Sequence, residues 1–171
     1  MPHYLRHILN GNVKFYSNCY SMNTTIPNTH SAVNALEASL SLVNSKLHIT
    51  GRAGNFEPID TDYIPPYGDG VGYMPLQLFL ISFGACAAGA VLTLLRRMQR
   101  NIDAFDMKVS GIRRTEHPTS FSEIAVEYII TSRDVTEEDV LKALALSEQS
   151  ICPVWAMIKG NVVVKSIITL L

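Results

Sequence analysis

Between Leu76 and Leu95 the chain runs LQLFLISFGACAAGAVLTLL, twenty residues without a charge, followed at once by Arg96 and Arg97. A stretch of that length can span a bilayer, and the arginines suit its cytoplasmic end. Gln77, Ser82, Thr93, Gly84 and Gly89 dilute it, and the rest of the chain alternates like a half-buried sheet. A helix apolar all round is equally at home at the centre of a soluble core or of a dimer. That second reading is the expectation, with no membrane partner. The helix is placed from Pro75, where the first turn tolerates proline, to Gln99, with Arg96, Arg97 and Arg100 complementing its dipole.

Strands cluster on either side of this helix. From Ala35, Leu36, Ala38, Leu40 and Leu42 alternate with Glu37, Ser39 and Ser41, the period of a strand. After a turn at Asn44-Ser45, Leu47 and Ile49 begin a second strand that ends at Gly51-Arg52-Ala53-Gly54. Phe56 to Ile59 reads as a short third strand, confined to an edge by Pro58. Asp60 to Gly72 is a loop, because Pro65-Pro66 and its glycines forbid regular structure. Beyond the helix, Phe105, Met107 and Val109, then Ile124, Val126, Tyr128 and Ile130, predict two strands of a hairpin. Gly111 marks a bulge between them. Thr136 is an N-cap with Glu137, Glu138 and Asp139 behind it, opening a helix to Gln149. Cys152-Pro153 starts a short helix, Pro153 to Lys159, stopped by Gly160, and Val162 to Leu170 is an apolar final strand expected at a central position. Strands that cluster rather than alternate with helices give an α+β class. Residues 1–31 have no apolar run long enough for a signal peptide and read as a leader or loose extension, with Met22 as an alternative start, ahead of one domain over 32–171.

The chemistry is narrowed by what is missing. The 171 residues carry 14 Lys+Arg against 15 Asp+Glu, a net charge of −1 with no polybasic run, which argues against binding nucleic acid. His3, His7, His30, His48 and His117 are scattered and none pairs with a cysteine at zinc spacing, so no metal is expected. No phosphate loop, nucleophile elbow or dinucleotide fingerprint appears, and no cofactor is expected. Three cysteines do not make a disulfide scaffold and suit a reducing cytoplasm. Cys19 sits in the leader. Cys86 and Cys152 remain. Burial in an apolar helix would silence Cys86 unless a cation lies close. Cys152 precedes Pro153 at a helix start, where free N–H groups favour a thiolate, so elementary electrostatics ranks it the more acidic.

The ordered set of motifs is similar to the OsmC/Ohr family, the osmotically induced protein C and organic hydroperoxide resistance proteins. The matching segments are Met74-Pro75-Leu76-Gln77-Leu78-Phe79, Phe83-Gly84-Ala85-Cys86, the hairpin Ser110-Gly111-Ile112-Arg113-Arg114 to Glu123-Ile124-Ala125-Val126, and Leu146-Ser147-Glu148-Gln149-Ser150-Ile151-Cys152-Pro153-Val154. The likeness covers about residues 35–170. It implies an OsmC-like fold in an intertwined homodimer, with sites at the subunit interface. It also implies a thiol-dependent peroxidase acting on organic or fatty-acid hydroperoxides. Cys86 would attack the peroxide and become a sulfenic acid, Cys152 would close a disulfide with it, and a cellular dithiol would reduce that disulfide. This reverses the acidity ranking, and the two agree only if an arginine stands by Cys86.

The chain departs from the family where that arginine should be held. Many members carry a glutamate nine or ten residues before the helix cysteine, and here Leu76 and Gln77 stand there. Gln77 can accept from a guanidinium without charge, which weakens the clamp. Arg52 has the Gly-Arg context; Lys46 fits the spacing but has the wrong head group. Residues 77 and 86, nine apart on a straight helix, are rotated by about 180° and separated by roughly 13 Å, so they share one site only through a kink or a second copy. Phe79 and Phe83, with Tyr63, Tyr67, Met74 and Trp155 near the motifs, suggest an apolar substrate entrance. The rival readings are a non-catalytic protein that holds an apolar ligand on the same scaffold, motivated by the missing glutamate, and a membrane-anchored protein.

Overall fold

The computed structural model describes residues 4–9, 12–17 and 35–171. The chain divides into two compact units, Met1–Leu36 and Glu37–Leu171. In the first, β1 (Tyr4–Leu9) and β2 (Asn12–Ser17) pair antiparallel with Leu9 opposite Asn12. Residues 1–31, expected as a leader or loose extension, thus contain a hairpin. Cys19, Met22, His3 and His30 lie outside the described residues.

The second unit is α+β. Its first sheet is β3 (Ala38–Leu42), β4 (Ile49–Ala53) and β5 (Ile59–Thr61), antiparallel in that order. β5 begins where the third strand was expected to end. Pro58 cannot donate to the ladder, so pairing starts after it and Phe56 is left exposed in the preceding turn. Every residue of β3 is exposed, Leu40 by 67%. Its alternation describes a face that none of the described residues of the protomer covers.

The long helix α1 spans Pro75–Arg97. It stops two residues short of Gln99 because Gln99 adopts a left-handed backbone, φ +61°, while the Met98 N–H caps back onto Leu94 O at 3.0 Å. By length and a hydropathy of 2.3 it could cross a membrane. Phe83, Ala87, Ala90, Val91 and Leu94, at helical spacing, are nevertheless buried within the protein, and Ile81, Ala85 and Gly89 stay open on the other side.

The second sheet receives the buried face. It consists of β6 (Ala104–Arg113), β7 (Phe121–Thr131) and β8 (Val163–Leu170), in that order. β6 and β7 are antiparallel with an irregularity at Ile112/Arg113, one residue beyond the expected bulge. β8 runs parallel to β7 and lies at the edge, not at the centre its apolar run suggested. Consistent with an edge, Val163 and Ile167 are exposed. Ile124, Val126, Tyr128 and Ile130 point from β7 into the core. At Gly84 an added Cβ would stand 2.9 Å from Val109 Cγ2, so the glycine lets α1 pass close over β6.

Helix α2 (Glu137–Leu146) opens with a reciprocal cap: Asp139 N–H donates to Thr136 Oγ1 at 3.2 Å, and Thr136 N–H donates to Asp139 Oδ2 at 3.0 Å. The expected continuation to Gln149 instead widens into a π-turn, Ser147–Ile151. Helix α3 (Pro153–Ile158) follows directly.

Candidate active site

Two elements bring the cysteines together. Cys86 sits half-buried on α1, next to Phe83 and Ala87 of its buried face. Cys152 lies where the π-turn meets α3. Its N–H donates to Ser147 O at 3.0 Å, and Pro153 at the first helical position leaves its sulfur as the cap. The Trp155 N–H donates to Cys152 Sγ at 3.4 Å. Across the gap the Cys152 thiol donates to Cys86 Sγ at 2.8 Å. Both thiols are free. Sixty-six residues apart in sequence, they are in direct contact.

Electrostatics separates the pair. Burial, then the bond to Cys86, pushes the Cys152 thiol up to about 11, against the smaller opposing effect of the Trp155 and Val154 N–H groups. The expectation that the helix start favours a thiolate at Cys152 is therefore overturned. Its helix start does supply N–H donors, but the sulfur is only 3% exposed and desolvation outweighs them. Cys152 is buried and Cys86 half-buried, so Cys86 is the more accessible of the two sulfurs.

The other expected residues fall into two groups. Phe83, one turn before Cys86 on α1, and Trp155, three residues after Cys152, pack with ring centroids 5.5 Å apart in an edge-on arrangement. Phe83 is fully buried, and Phe79 packs on Phe121 at 6.0 Å. Gln77 Oε1 accepts the Met74 N–H at 2.9 Å, a cap on its own helix. Arg52 lies exposed near the end of β4, paired in register with Ser39. Lys46 forms an ion pair with Asp69. Among the described residues no guanidinium bonds either sulfur, and neither Arg52 nor Gln77 hydrogen-bonds Cys86. Tyr63, Met74, Leu76, Leu80, Arg113 and Phe121 surround a cavity of about 200 Å³ at the start of α1, and neither cysteine lines it. No group of three or more potential metal ligands occurs among the described residues.

Sequence reasoning missed the residue that shapes the approach loop. Asp62 is buried and accepts the N–H groups of Tyr63 at 2.8 Å, Asp69 at 3.0 Å and Val71 at 3.2 Å. Burial alone would raise its carboxyl, and the three N–H donors outweigh that and hold it below the ordinary range. Gly68 is required there, because a Cβ would collide with Asp62 Oδ1 and Tyr63 O. An acid amid Pro, Gly and Tyr in a loop is the usual mark of such an Asx-type anchor. The π-turn that carries Ser147 was also missed; nothing in local spacing flags it.

Comparison with known proteins bears on the family and the fold. The family profile described as OsmC-like protein matches residues 68–166. Protein YhfA of Escherichia coli K12 is 30% identical over 88 residues, which is 52% of this chain and 66%, just under two thirds, of YhfA. An OsmC-like protein from Mycoplasma pneumoniae superposes with a TM-score of 0.70 at 19% identity, over 81% of this chain and 99% of that one. The organic hydroperoxide resistance protein OhrB of Bacillus subtilis superposes with a TM-score of 0.55 at 22% identity, over 80% and 99%. These two structural likenesses show the fold.

Proposed function

The chain belongs to the OsmC-like protein family, and from that premise we propose that it is a cytoplasmic thiol-dependent peroxidase that reduces organic or fatty-acid hydroperoxides to alcohols. The observation that carries the reading is the 2.8 Å contact between Cys86 and Cys152. The Cys86 thiolate attacks the outer peroxide oxygen; the O–O bond breaks, the alkoxide takes a proton and leaves as alcohol, and Cys86 becomes a sulfenic acid. Cys152 then attacks that sulfur, the S–O bond breaks, water leaves, and a Cys86–Cys152 disulfide remains for a cellular dithiol to reduce. The exposure of Cys86 and the burial of Cys152 support this order of roles.

The activating charge comes, in this reading, from a second copy. The bare strand β3 and the open face of α1 support a homodimer, since both expose apolar side chains. In it, Arg52 of the partner subunit faces Cys86, Gln77 assists more weakly, and Phe79 and Phe83 border the substrate path. Purified protein is expected to consume cumene hydroperoxide with a dithiol, and Cys86→Ser to abolish turnover. Equal rates for the two would end the reading. The use of Gln77 as a helix cap favours one rival, a non-catalytic protein that holds an apolar ligand. Absence of a Cys86–Cys152 link by mass spectrometry after mild peroxide would select it.

A further inference from the structure

Phe105, Met107, Val109 and Gly111 are the half-buried positions of β6, and Arg113 is the next residue at the period of two. The ladder slips beside it. Gly111 pairs with Ile124 and Ile112 with Glu123, but Arg113 pairs with Phe121, which leaves Ser122 as the extra residue of β7. A bulge re-aims side chains, and this one sets the buried Phe121 ring on the same face as Arg113. Gly111 is needed for that placement, because a Cβ there would collide with the ring. The consequence is the cavity of about 200 Å³ at the start of α1. Tyr63, Met74, Leu76, Leu80 and Phe121 supply its apolar wall, and Gln77 and Arg113 its polar one. Arg113 Nε donates to Thr119 O at 2.9 Å and Nη2 donates to Thr119 Oγ1, which steadies the guanidinium and leaves Nη1 over. Among the described residues no carboxylate forms an ion pair with it. Gln77 Oε1 is occupied by the Met74 N–H, so its amide N–H groups are what it has left to offer.

We propose that this cavity binds a carboxylate with an unbranched apolar tail, its head on Arg113 and Gln77 and its tail against Met74, Leu76, Leu80 and Phe121. The polar wall selects the head. It offers a cation and amide donors, and no acid lines the cavity to repel an anion. One guanidinium matches one negative charge, and the two oxygens of a carboxylate match donors that lie side by side. The volume selects the tail. An apolar cavity of about 150 Å³ takes one benzene ring, so this one takes a chain of about seven or eight carbons. Burying such a chain supplies the affinity, and the guanidinium supplies the preference for a charged end. Neither cysteine lines the cavity, so the site is separate from the sulfur pair and stands whichever reading of the thiols holds.

The test titrates octanoate and octanamide, which share a tail and a planar head and differ in charge, into the full-length protein by calorimetry. Octanoate is expected to saturate one site per chain and to bind about tenfold more tightly than octanamide, as one charge-assisted hydrogen bond allows. Arg113→Met keeps an apolar stem of similar length. It is expected to bring octanoate down to the level of octanamide or below, with octanamide itself within about threefold of the parent. Gln77→Glu keeps an acceptor for the Met74 N–H and puts a like charge on the wall, so octanoate should weaken and octanamide should not. Equal affinity of the two ligands for the parent overturns the proposal, as does a preference for octanoate that survives in Arg113→Met. Absence of saturable octanoate binding at millimolar concentration overturns it as well. The comparison of ligands on the parent protein decides the matter even where a variant fails to fold. The assay contains neither hydroperoxide nor dithiol, so a failure to consume cumene hydroperoxide counts against the peroxidase reading alone, and a failure to bind octanoate against this site alone.

Discussion

The two sheets of the main unit have similar alternating sequences and opposite fates. β6–β8 lay their apolar side chains under α1, α2 and α3, and Ile124, Val126 and Ile130 are fully buried. β3–β5 hold Leu40, Leu42 and Ile59 in the same periodic way and leave all three exposed. Alternation states which residues share a face; it does not state which molecule covers that face. The covered sheet belongs to the protomer's own core; for the bare one we propose a second copy as the cover.

Three measurements sharpen that contrast. Phe83→Ala, in the covered half, should cost about 3–5 kcal/mol of unfolding free energy by urea denaturation, as large aromatic truncations in packed cores do. Leu40→Asp, in the bare half, should convert a dimer into a monomer by sedimentation velocity and remove the concentration dependence of melting. If Leu40→Asp changes neither, β3 stands free and the assignment fails. The smallest effect lies in acid. Three N–H donors hold the Asp62 carboxyl below its ordinary value, and Asp139 is held at about 2 by the Thr136 N–H, then by bonds from Arg100 and the Thr136 hydroxyl. A carboxyl depressed on folding contributes stability above its unfolded pKa and loses it as pH falls through the folded one. The urea midpoint should therefore decline between about pH 4 and pH 2, and Asp139→Asn should flatten that decline. An unchanged slope in Asp139→Asn would dissociate the cap from the acid response.

Local signals in the sequence were reliable for local features. Pro75, the Thr136 cap, and the alternation of Phe105–Val109 and Ile124–Ile130 each specify a backbone form through contacts a few residues long, and each recurs in the fold. The meeting of Cys86 and Cys152 came from the ordered motifs, since no periodicity relates residues so far apart. Features set by burial stayed hidden. The raised Cys152 thiol depends on its desolvation, the edge position of β8 on which strand lies beyond it, and the π-turn on how α2 gives way to α3 at Cys152. Asp62 was missed although its loop carries the composition of an Asx-type anchor, because its partners are backbone groups of residues 63, 69 and 71 that only the folded loop brings together.

Trp155 is the only tryptophan in the chain, and its own amide touches the Cys152 sulfur. An indole beside a sulfur atom loses emission according to that atom's charge and bonding. The protein therefore carries a built-in optical gauge, through which the state of its thiols can be followed in real time without labels.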